Sequence, residues 1–212
     1  MRSNGGDYFN ADGDVALTDA AVLEATEFYR DLVNVSMRGS ESWHFDDVNK
    51  ALQFGQAPLG ITISGLAGFL EDPEESAAAG SLGYAPLPYS DQSFGTLALW
   101  SWCLTGDSNN PAEAFQLAAW LTSAEVEKQQ TQMNGQISAV VSLFNDEELV
   151  ADMPWLPAVG AALENSATQP LIEDGPLLAE RIMEMLSAVA TGVEEPAAAL
   201  ESAQSDLAEL LM

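Results

Sequence analysis

The chain has 212 residues, an apolar content of 47% and a formal net charge of −27, from 33 acidic and 6 basic residues. This charge argues against nucleic-acid binding and against contact with anionic membrane surfaces, because both partners would repel the protein. The sequence has no apolar run of the roughly 18 residues that a membrane-spanning helix requires, so we expect no direct membrane insertion of this segment.

The acidic residues are spread along the whole chain and are not collected in a tail. Together with the high apolar content, this distribution argues against a disordered chain. A surface rich in carboxylates suits high salt, where screening shortens the reach of like-charge repulsion to roughly 3 Å at 1 M. The composition therefore predicts a folded protein adapted to high salt, with an ordinary acidic secreted protein as the alternative.

The first predicted elements are a turn and a helix. Alternating Asn and Asp residues in the stretch 10–14 lack the glycine and the glutamate of a calcium-binding loop, so we interpret this stretch as a turn and expect no metal site. Thr18 is expected to cap a helix that runs to about Val33.

A second helix and a buried strand are predicted next. Residues 46–54 carry apolar side chains at helical spacing, and residues 57–63 are apolar and β-branched, which is typical of a strand buried in a sheet. Ser64 and Gly65 end this strand. Glycine at that position permits a close backbone approach to a ligand, although a plain strand-ending turn is the alternative.

The stretch 81–123 is the most informative part of the sequence. It predicts a strand that ends at Pro88, a polar turn, and a second apolar strand on which Trp100 and Trp102 point to the same side. Cys103, the single cysteine, is interpreted as a small buried residue of that strand.

A helix with a clear start follows this strand. Asn110 is a good N-cap, Pro111 suits the first helical position, and Glu113 can complete a capping box. The apolar side chains expected to be buried by this helix are Phe115, Ala118, Ala119 and Trp120.

The last third of the chain is predicted to be mainly helical. A helix begins at Ser123, residues 136–141 form a short extended crossing, and Asn145 with Glu148 form another capping box. Two long helices cover residues 175–190 and 196–211. Helices thus alternate with few strands, which predicts an α/β fold whose sheet has too few strands to cover its helices.

Several short stretches occur in a characteristic order along the chain. They are Asn4–Phe9 followed by Asp12-Gly13, Phe54–Leu59, Gly83–Pro88, Asn110–Glu113, and Thr191-Gly192 followed by an alanine- and leucine-rich helix. Taken together, this series resembles the C-terminal half of the family 1 extracellular solute-binding proteins, the sugar-binding subunits of ABC importers.

The resemblance implies an incomplete two-lobed α/β architecture of the periplasmic-binding-protein type II, with the N-terminal half and the signal segment outside this chain. Residues 1–85 would begin lobe 2, residues 89–135 would belong to lobe 1, and residues 136–212 would return to lobe 2. The implied protein binds a carbohydrate between its lobes, delivers it to ABC permease subunits outside the cytoplasm (as a periplasmic protein or a cell-surface lipoprotein), and has no catalytic residues, cofactor or metal.

The resemblance also names candidate ligand-binding residues. Trp100 matches the family's ligand-stacking tryptophan, although Ala98-Leu99 replace the glycine pair that precedes it, and Trp102 is expected in the core. Ser64 and Gly65 would form a cleft loop, and Trp43 is an aromatic residue on an exposed loop. Asn4 and Gln136 are polar residues beside the lobe crossings. Trp155 would cap the cleft or pack a loop.

Two other functions stay open at the level of the sequence. An α/β glycoside-processing enzyme would need two positioned carboxylates in a cleft, and the abundance of acidic residues singles out no such pair. An acidic helical interaction module would lack a cleft between lobes and would show a continuous exposed apolar patch. His44 is the only histidine, which limits any Ser–His or Cys–His pair to that one residue.

Overall fold

The computed structural model describes residues 1–211, which form a helix-rich chain. The chain divides into two compact units. Unit 1 contains Met1–His44, Leu87–Thr96 and the chain from Ala167 to the end of the described residues, and unit 2 contains Phe45–Pro86 and Leu97–Ser166.

Nine α-helices and two very short strands are present among these residues. The helices are α1 (Ala20–Val35), α2 (Phe45–Gln53), α3 (Ala67–Glu71), α4 (Pro111–Leu121), α5 (Ala124–Asn134), α6 (Glu147–Asp152), α7 (Leu156–Leu163), α8 (Gly175–Ala190) and α9 (Pro196–Leu210). The strands β1 (Gly95–Thr96) and β2 (Ser166–Ala167) form a two-stranded sheet. Phe9 and Val15 add an isolated antiparallel bridge across the predicted turn.

The core of unit 1 is built on the last two helices and α1. Apolar residues of α8 recur at intervals of three and four, so that they lie on one face of the helix and pack against small and apolar residues of α9. This core consists of Leu17, Val22, Leu178, Ile182, Met185, Val189, Ala199, Leu200, Ala203 and Leu207.

The connection between α8 and α9 is fixed by a glycine and a guanidinium group. Gly192 has φ +71, a left-handed conformation that ends α8 and that other residues adopt only with strain. Arg181 of α8 donates from Nε to Asp206 of α9 at 2.7 Å and from Nη2 to the Ser202 hydroxyl at 3.1 Å. These bonds hold the two helices in register.

Unit 2 has a separate core in which Trp155 is central. The buried members are Ala67, Leu143, Phe144, Leu149, Met153, Trp155 and Leu156, with Tyr84 and Ile137 partly buried against them. Gly160 of α7 makes room for Phe144, because a Cβ at Gly160 would lie 2.9 Å from the Phe144 Cβ.

Asp146 stabilises unit 2 in two ways. Its carboxylate caps α6 by accepting from the backbone N–H groups of Glu148 and Leu149 at 3.1 and 3.2 Å, and it also accepts from the Lys128 ammonium at 2.9 Å. Lys128 lies 2.8 Å from the Glu148 carboxylate as well. The cap is therefore Asp146, and the capping box predicted for Asn145 is wrong by one residue.

We expect Asp146→Asn to reduce stability in a pH-dependent way. The bond from Lys128, followed by the bond from the Leu149 N–H, lowers the pKa of the Asp146 carboxyl group. The stabilisation by the Asp146 carboxylate is therefore present above the unfolded-state pKa of about 3.9. It is lost as the pH falls through the lower pKa of the folded state. Urea unfolding should show that the Asp146→Asn variant is clearly less stable than the unchanged protein at pH 7. The difference in unfolding free energy should become smaller toward about pH 3. A difference that stays constant with pH would contradict this role of the charge.

The structure corrects most of the predicted strands. Residues 57–63 form no strand, the stretch 81–88 forms no strand, and only Gly95–Thr96 of the tryptophan-bearing segment pairs with another strand. A strand is defined by hydrogen bonds to a neighbour, and among residues 1–211 these segments have no such neighbour.

Several residues predicted to be buried are exposed. None of the residues of α4 is buried, and its Phe115 and Trp120 face solvent. Trp102 is 65% exposed and Cys103 is also exposed, so neither is a core residue in this structure. Asn110 makes no side-chain cap, although Pro111 does start the helix.

The boundaries of the two units differ from the predicted lobe boundaries. The break between Pro86 and Leu87 lies within the predicted crossing at 85–89. However, the first segment of unit 1 ends at His44, and its last segment begins at Ala167 and not at residue 136. Residues 45–86 thus group with 97–166 by packing. The assignment of segments to lobes stays a prediction.

Candidate functional site

Trp100 is the most open aromatic residue of the chain. Its side chain is 100% exposed, and it lies on an irregular segment in which the backbone N–H groups of residues 98–104 donate to no backbone carbonyl of the described residues. An indole ring in this state offers both faces to a ligand. The predicted ligand-stacking residue is therefore accessible in this chain.

Ser64, Gly65 and Gln136 lie at the edge of the unit 2 core. Ser64 and Gly65 are exposed in a short 3₁₀ helix, Ser64–Leu66, directly before the buried Ala67. Gln136 is exposed directly before Ile137, which packs on the same core. A Cβ at Gly65 would meet no atom within 4 Å, so this backbone is open to a ligand.

Trp155 is a core residue. It is only 4% exposed, and its ring lies 6.0 Å from the ring of Tyr84, measured between centroids, at an interplanar angle of 55°. Its indole Nε1 is buried and has no hydrogen-bond partner among the described residues. Of the two roles predicted for Trp155, the structure shows packing and does not show an open cleft surface.

Tyr84 links this core to α3. Its hydroxyl donates to the Glu71 carboxylate at 2.5 Å, and the other Glu71 oxygen accepts from the Gly80 N–H at 2.7 Å. Burial, together with the bond to Glu71, raises the pKa of the Tyr84 hydroxyl, so it stays protonated and donates at all physiological pH values. No pattern in the sequence indicated this pair.

The two remaining candidates belong to unit 1. Asn4 is half-buried in a 3₁₀ helix, Arg2–Asn4, where its N–H donates to the Met1 carbonyl at 2.9 Å. Trp43 is half-buried and follows a second 3₁₀ helix, Ser40–Ser42, with its N–H on the Ser40 carbonyl at 3.1 Å. The predicted residues therefore divide between the units, with Ser64, Gly65, Trp100, Gln136 and Trp155 in unit 2.

An open cavity in unit 1 is lined in part by a residue that the sequence did not single out. It measures about 360 Å³, and its lining consists of Arg2, Gly5, Gly6, Asp7, Gln92, Phe94 and Ala167. The Arg2 guanidinium lies 5.1 Å from the Phe94 ring and 5.5 Å from the Tyr8 ring, donates to Asp7 at 2.9 Å, and donates to the Thr168 carbonyl at 3.2 Å. Arg2 thus organises one wall of the cavity.

Metal-binding clusters and membrane-spanning helices are both absent from the described residues. No group of three or more His, Cys, Asp or Glu side chains in residues 1–211 is placed to hold a metal ion. None of the helices in this part of the chain has the length and apolar character needed to cross a membrane.

Comparison with known proteins gives a family and several relatives. Residues 1–128 match the family model of the bacterial extracellular solute-binding proteins. Over 98% of its length the chain is 28% identical to a probable amino-acid ABC transporter periplasmic-binding protein of Sinorhizobium fredii, of which it covers 46%.

Two solved structures share the fold. T. maritima MalE3 with bound maltose superposes with a TM-score of 0.87 at 21% identity, over 100% of this chain and 55% of that protein. A solute-binding protein of Agrobacterium radiobacter K84 in complex with ribitol gives a TM-score of 0.81 at 24% identity, over 99% and 54%. The chain therefore spans about half the length of the relatives it matches, and the predicted fold class is confirmed.

Proposed function

The chain belongs to the bacterial extracellular solute-binding proteins, a family of ABC-transporter binding proteins and not of enzymes, and on this premise we propose that it binds carbohydrate. In the proposed function a sugar is captured between two lobes outside the cytoplasm and delivered to ABC permease subunits. The observation that carries the proposal is the fully exposed indole of Trp100. An aromatic face covers the C–H side of a sugar ring, while amide and hydroxyl groups take its hydroxyls.

Charge supports a neutral solute over an anionic one. Unit 2 contains Lys50 and Lys128 as its only basic residues, and Lys128 is held by Asp146 and Glu148. A free carboxylate in a ligand would therefore find little positive charge in unit 2 and an excess of acidic side chains. Maltose and ribitol, which the two solved relatives named above bind, are uncharged.

An amino acid is the second candidate solute. The Sinorhizobium relative is named for amino-acid transport, and Arg2 with Asp7 in unit 1 offers a guanidinium and a carboxylate side by side. Such a pair could complement the carboxylate and the ammonium group of an amino acid. Both Arg2 and Asp7 are already bonded to each other, however, which leaves the carbohydrate proposal in first place.

Replacing Trp100 by Ala tests the proposed site. In a protein that has both lobes, we expect Trp100→Ala to weaken binding of the matching sugar by about 1–3 kcal/mol, roughly 5- to 150-fold, through loss of an aromatic contact. The melting temperature should not change, because the indole touches nothing that stabilises unit 2. Calorimetric titration with maltose, ribitol and a panel of amino acids measures the effect and identifies the solute class.

Phe28→Ala is the matched control, since Phe28 is an exposed aromatic residue on α1 of unit 1. It should leave binding unchanged. If Trp100→Ala binds its solute normally, Trp100 is not the stacking residue. If the calorimetric titrations detect binding of amino acids only, the carbohydrate proposal is wrong, even if Trp100 contributes to that binding.

A further inference from the structure

The end of α1 carries a tripeptide that the proposed solute-binding role does not use. Asn34-Val35-Ser36 has the pattern Asn-X-Ser with X other than proline, the sequence in which secreted proteins accept a glycan on the asparagine. None of the other asparagines in the sequence is followed two positions later by serine or threonine. The position of the tripeptide in the structure decides whether an enzyme can use it.

Both polar residues of the tripeptide are accessible. Asn34 lies in the last turn of α1 and is exposed, and Ser36 directly follows the helix and is also exposed. Ser36 has extended backbone angles, φ −79 and ψ 173, and its hydroxyl donates to the Leu32 carbonyl at 2.7 Å. An enzyme can therefore reach the Asn34 amide from solvent, and the Ser36 hydroxyl once it exchanges its partner.

The exposure of Asn34 is a property of a polar helix face. Glu27, Arg30 and Asp31 precede Asn34 by seven, four and three positions, so the four side chains lie on the same face of α1. Arg30 is paired at 3.0 Å with Glu195, whose side chain is itself exposed. Charged and amide side chains are mostly found at the protein surface. The composition of this face therefore favours contact with water over contact with an apolar neighbour.

The end of α1 can open without exposing the core of unit 1. The buried residues of this helix are Val22 and Thr26, in its first half, and no residue from 27 to 35 is buried. Helix ends fray because their last carbonyl groups lack partners within the helix. Segments with few buried contacts also open at low free energy. The tripeptide can thus leave the helical conformation and enter the binding site of an enzyme.

We propose that Asn34 is a site of N-linked glycosylation, with a lipid-linked oligosaccharide phosphate as the donor. In this transfer a bond forms between the Asn34 amide nitrogen and C1 of the first sugar. The bond between that C1 and the phosphate oxygen of the donor breaks, the lipid phosphate leaves, and a proton of the amide passes to a base of the transferring enzyme. The proposal rests on the location outside the cytoplasm proposed above, but not on which solute the protein binds.

The test is mass spectrometry of the protein produced by the organism that encodes it. Trypsin cleaves after Arg30 and Arg38, so Asn34 lies in one peptide, residues 31–38. We expect that peptide to carry the added mass of an oligosaccharide, and the same peptide from a host without such a transferase to be unmodified. Asn34→Gln and Ser36→Ala should each lose the added mass completely, whereas Ser36→Thr should keep it because threonine supplies the same hydroxyl.

Asn165→Gln is the matched control for these variants. Asn165 is exposed and is followed by Ser166 and Ala167, so it has no hydroxyl two positions later. Its replacement should leave the added mass of the peptide 31–38 unchanged. Circular dichroism should show that Asn34→Gln melts as the unmodified protein does, so that loss of the glycan is not loss of the fold.

Each other result overturns the proposal. An unmodified peptide 31–38 in protein recovered outside the cytoplasm would show that the tripeptide is not used. An added mass that persists in Asn34→Gln would place the sugar on another residue, and one that persists in Ser36→Ala would exclude recognition through the hydroxyl. Protein found only in the cytoplasm would remove the premise of export. None of these readouts involves a solute, so failure here is distinct from failure of the carbohydrate proposal.

Discussion

Trp155→Ala is expected to destabilise unit 2 by about 3–5 kcal/mol, the range measured for deletion of large buried aromatic side chains. Trp155 is 4% exposed and belongs to a core that also includes Ala67, Tyr84, Leu143 and Leu149. Removal of the indole leaves a cavity that these stretches cannot close without moving the backbone. Urea unfolding followed by far-ultraviolet circular dichroism measures the loss.

Trp102→Ala is the matched control for this substitution. The sequence predicted Trp102 as a core residue, but the structure leaves it 65% exposed, so its removal should change the free energy of unfolding by no more than about 0.5 kcal/mol. Equal effects of the two substitutions, or a larger effect at Trp102, would contradict the assignment of the core.

The helices were predictable because their signals are local. Helix α8 begins at Gly175 and ends at Ala190 as predicted, since Pro176 marks the first turn and Gly192 takes the left-handed conformation that stops it. Asp146 instead of Asn145 as a cap is an error of one residue within the same local pattern.

The strands were not predictable in the same way, because their partners are not neighbours in sequence. Residues 57–63 have the apolar, β-branched composition of a strand, but no described segment pairs with them. The same reason explains α4, whose apolar character predicted burial that the described chain does not supply. The apolar pattern of both segments therefore predicts neighbours that are absent among the described residues.

The assignment of ligand-binding residues stays a prediction, and the structure bears on it only through the exposure of each side chain. Trp100 was proposed from its motif, and its full exposure fits a ligand-stacking role. Arg2 was missed because its partner Thr168 lies 166 residues away, and no local pattern announces such a contact. The role of Trp155 was undecided for the same reason, since Tyr84 reaches it from a distant loop.

Stability is expected to rise strongly with salt. With a net charge of −27, the folded chain concentrates like charges that the unfolded chain would separate, and screening relieves this repulsion. We propose that the surface is adapted to high salt. Raising NaCl from about 0.1 to 2 M should stabilise the chain by on the order of 2 kcal/mol, or about 4–8 °C in melting temperature for a protein of this size.

The shape of the salt dependence distinguishes screening from other salt effects. Screening is nearly complete when the Debye length reaches roughly 3 Å at 1 M, so most of the gain should occur below that concentration. Sulfate, which is excluded from protein surfaces, strengthens burial and should continue to stabilise at higher concentration. A calorimetric melting series in both salts provides the measurement. A melting temperature that is flat or falls with NaCl would show that the carboxylates do not limit stability, and the adaptation to salt would be wrong.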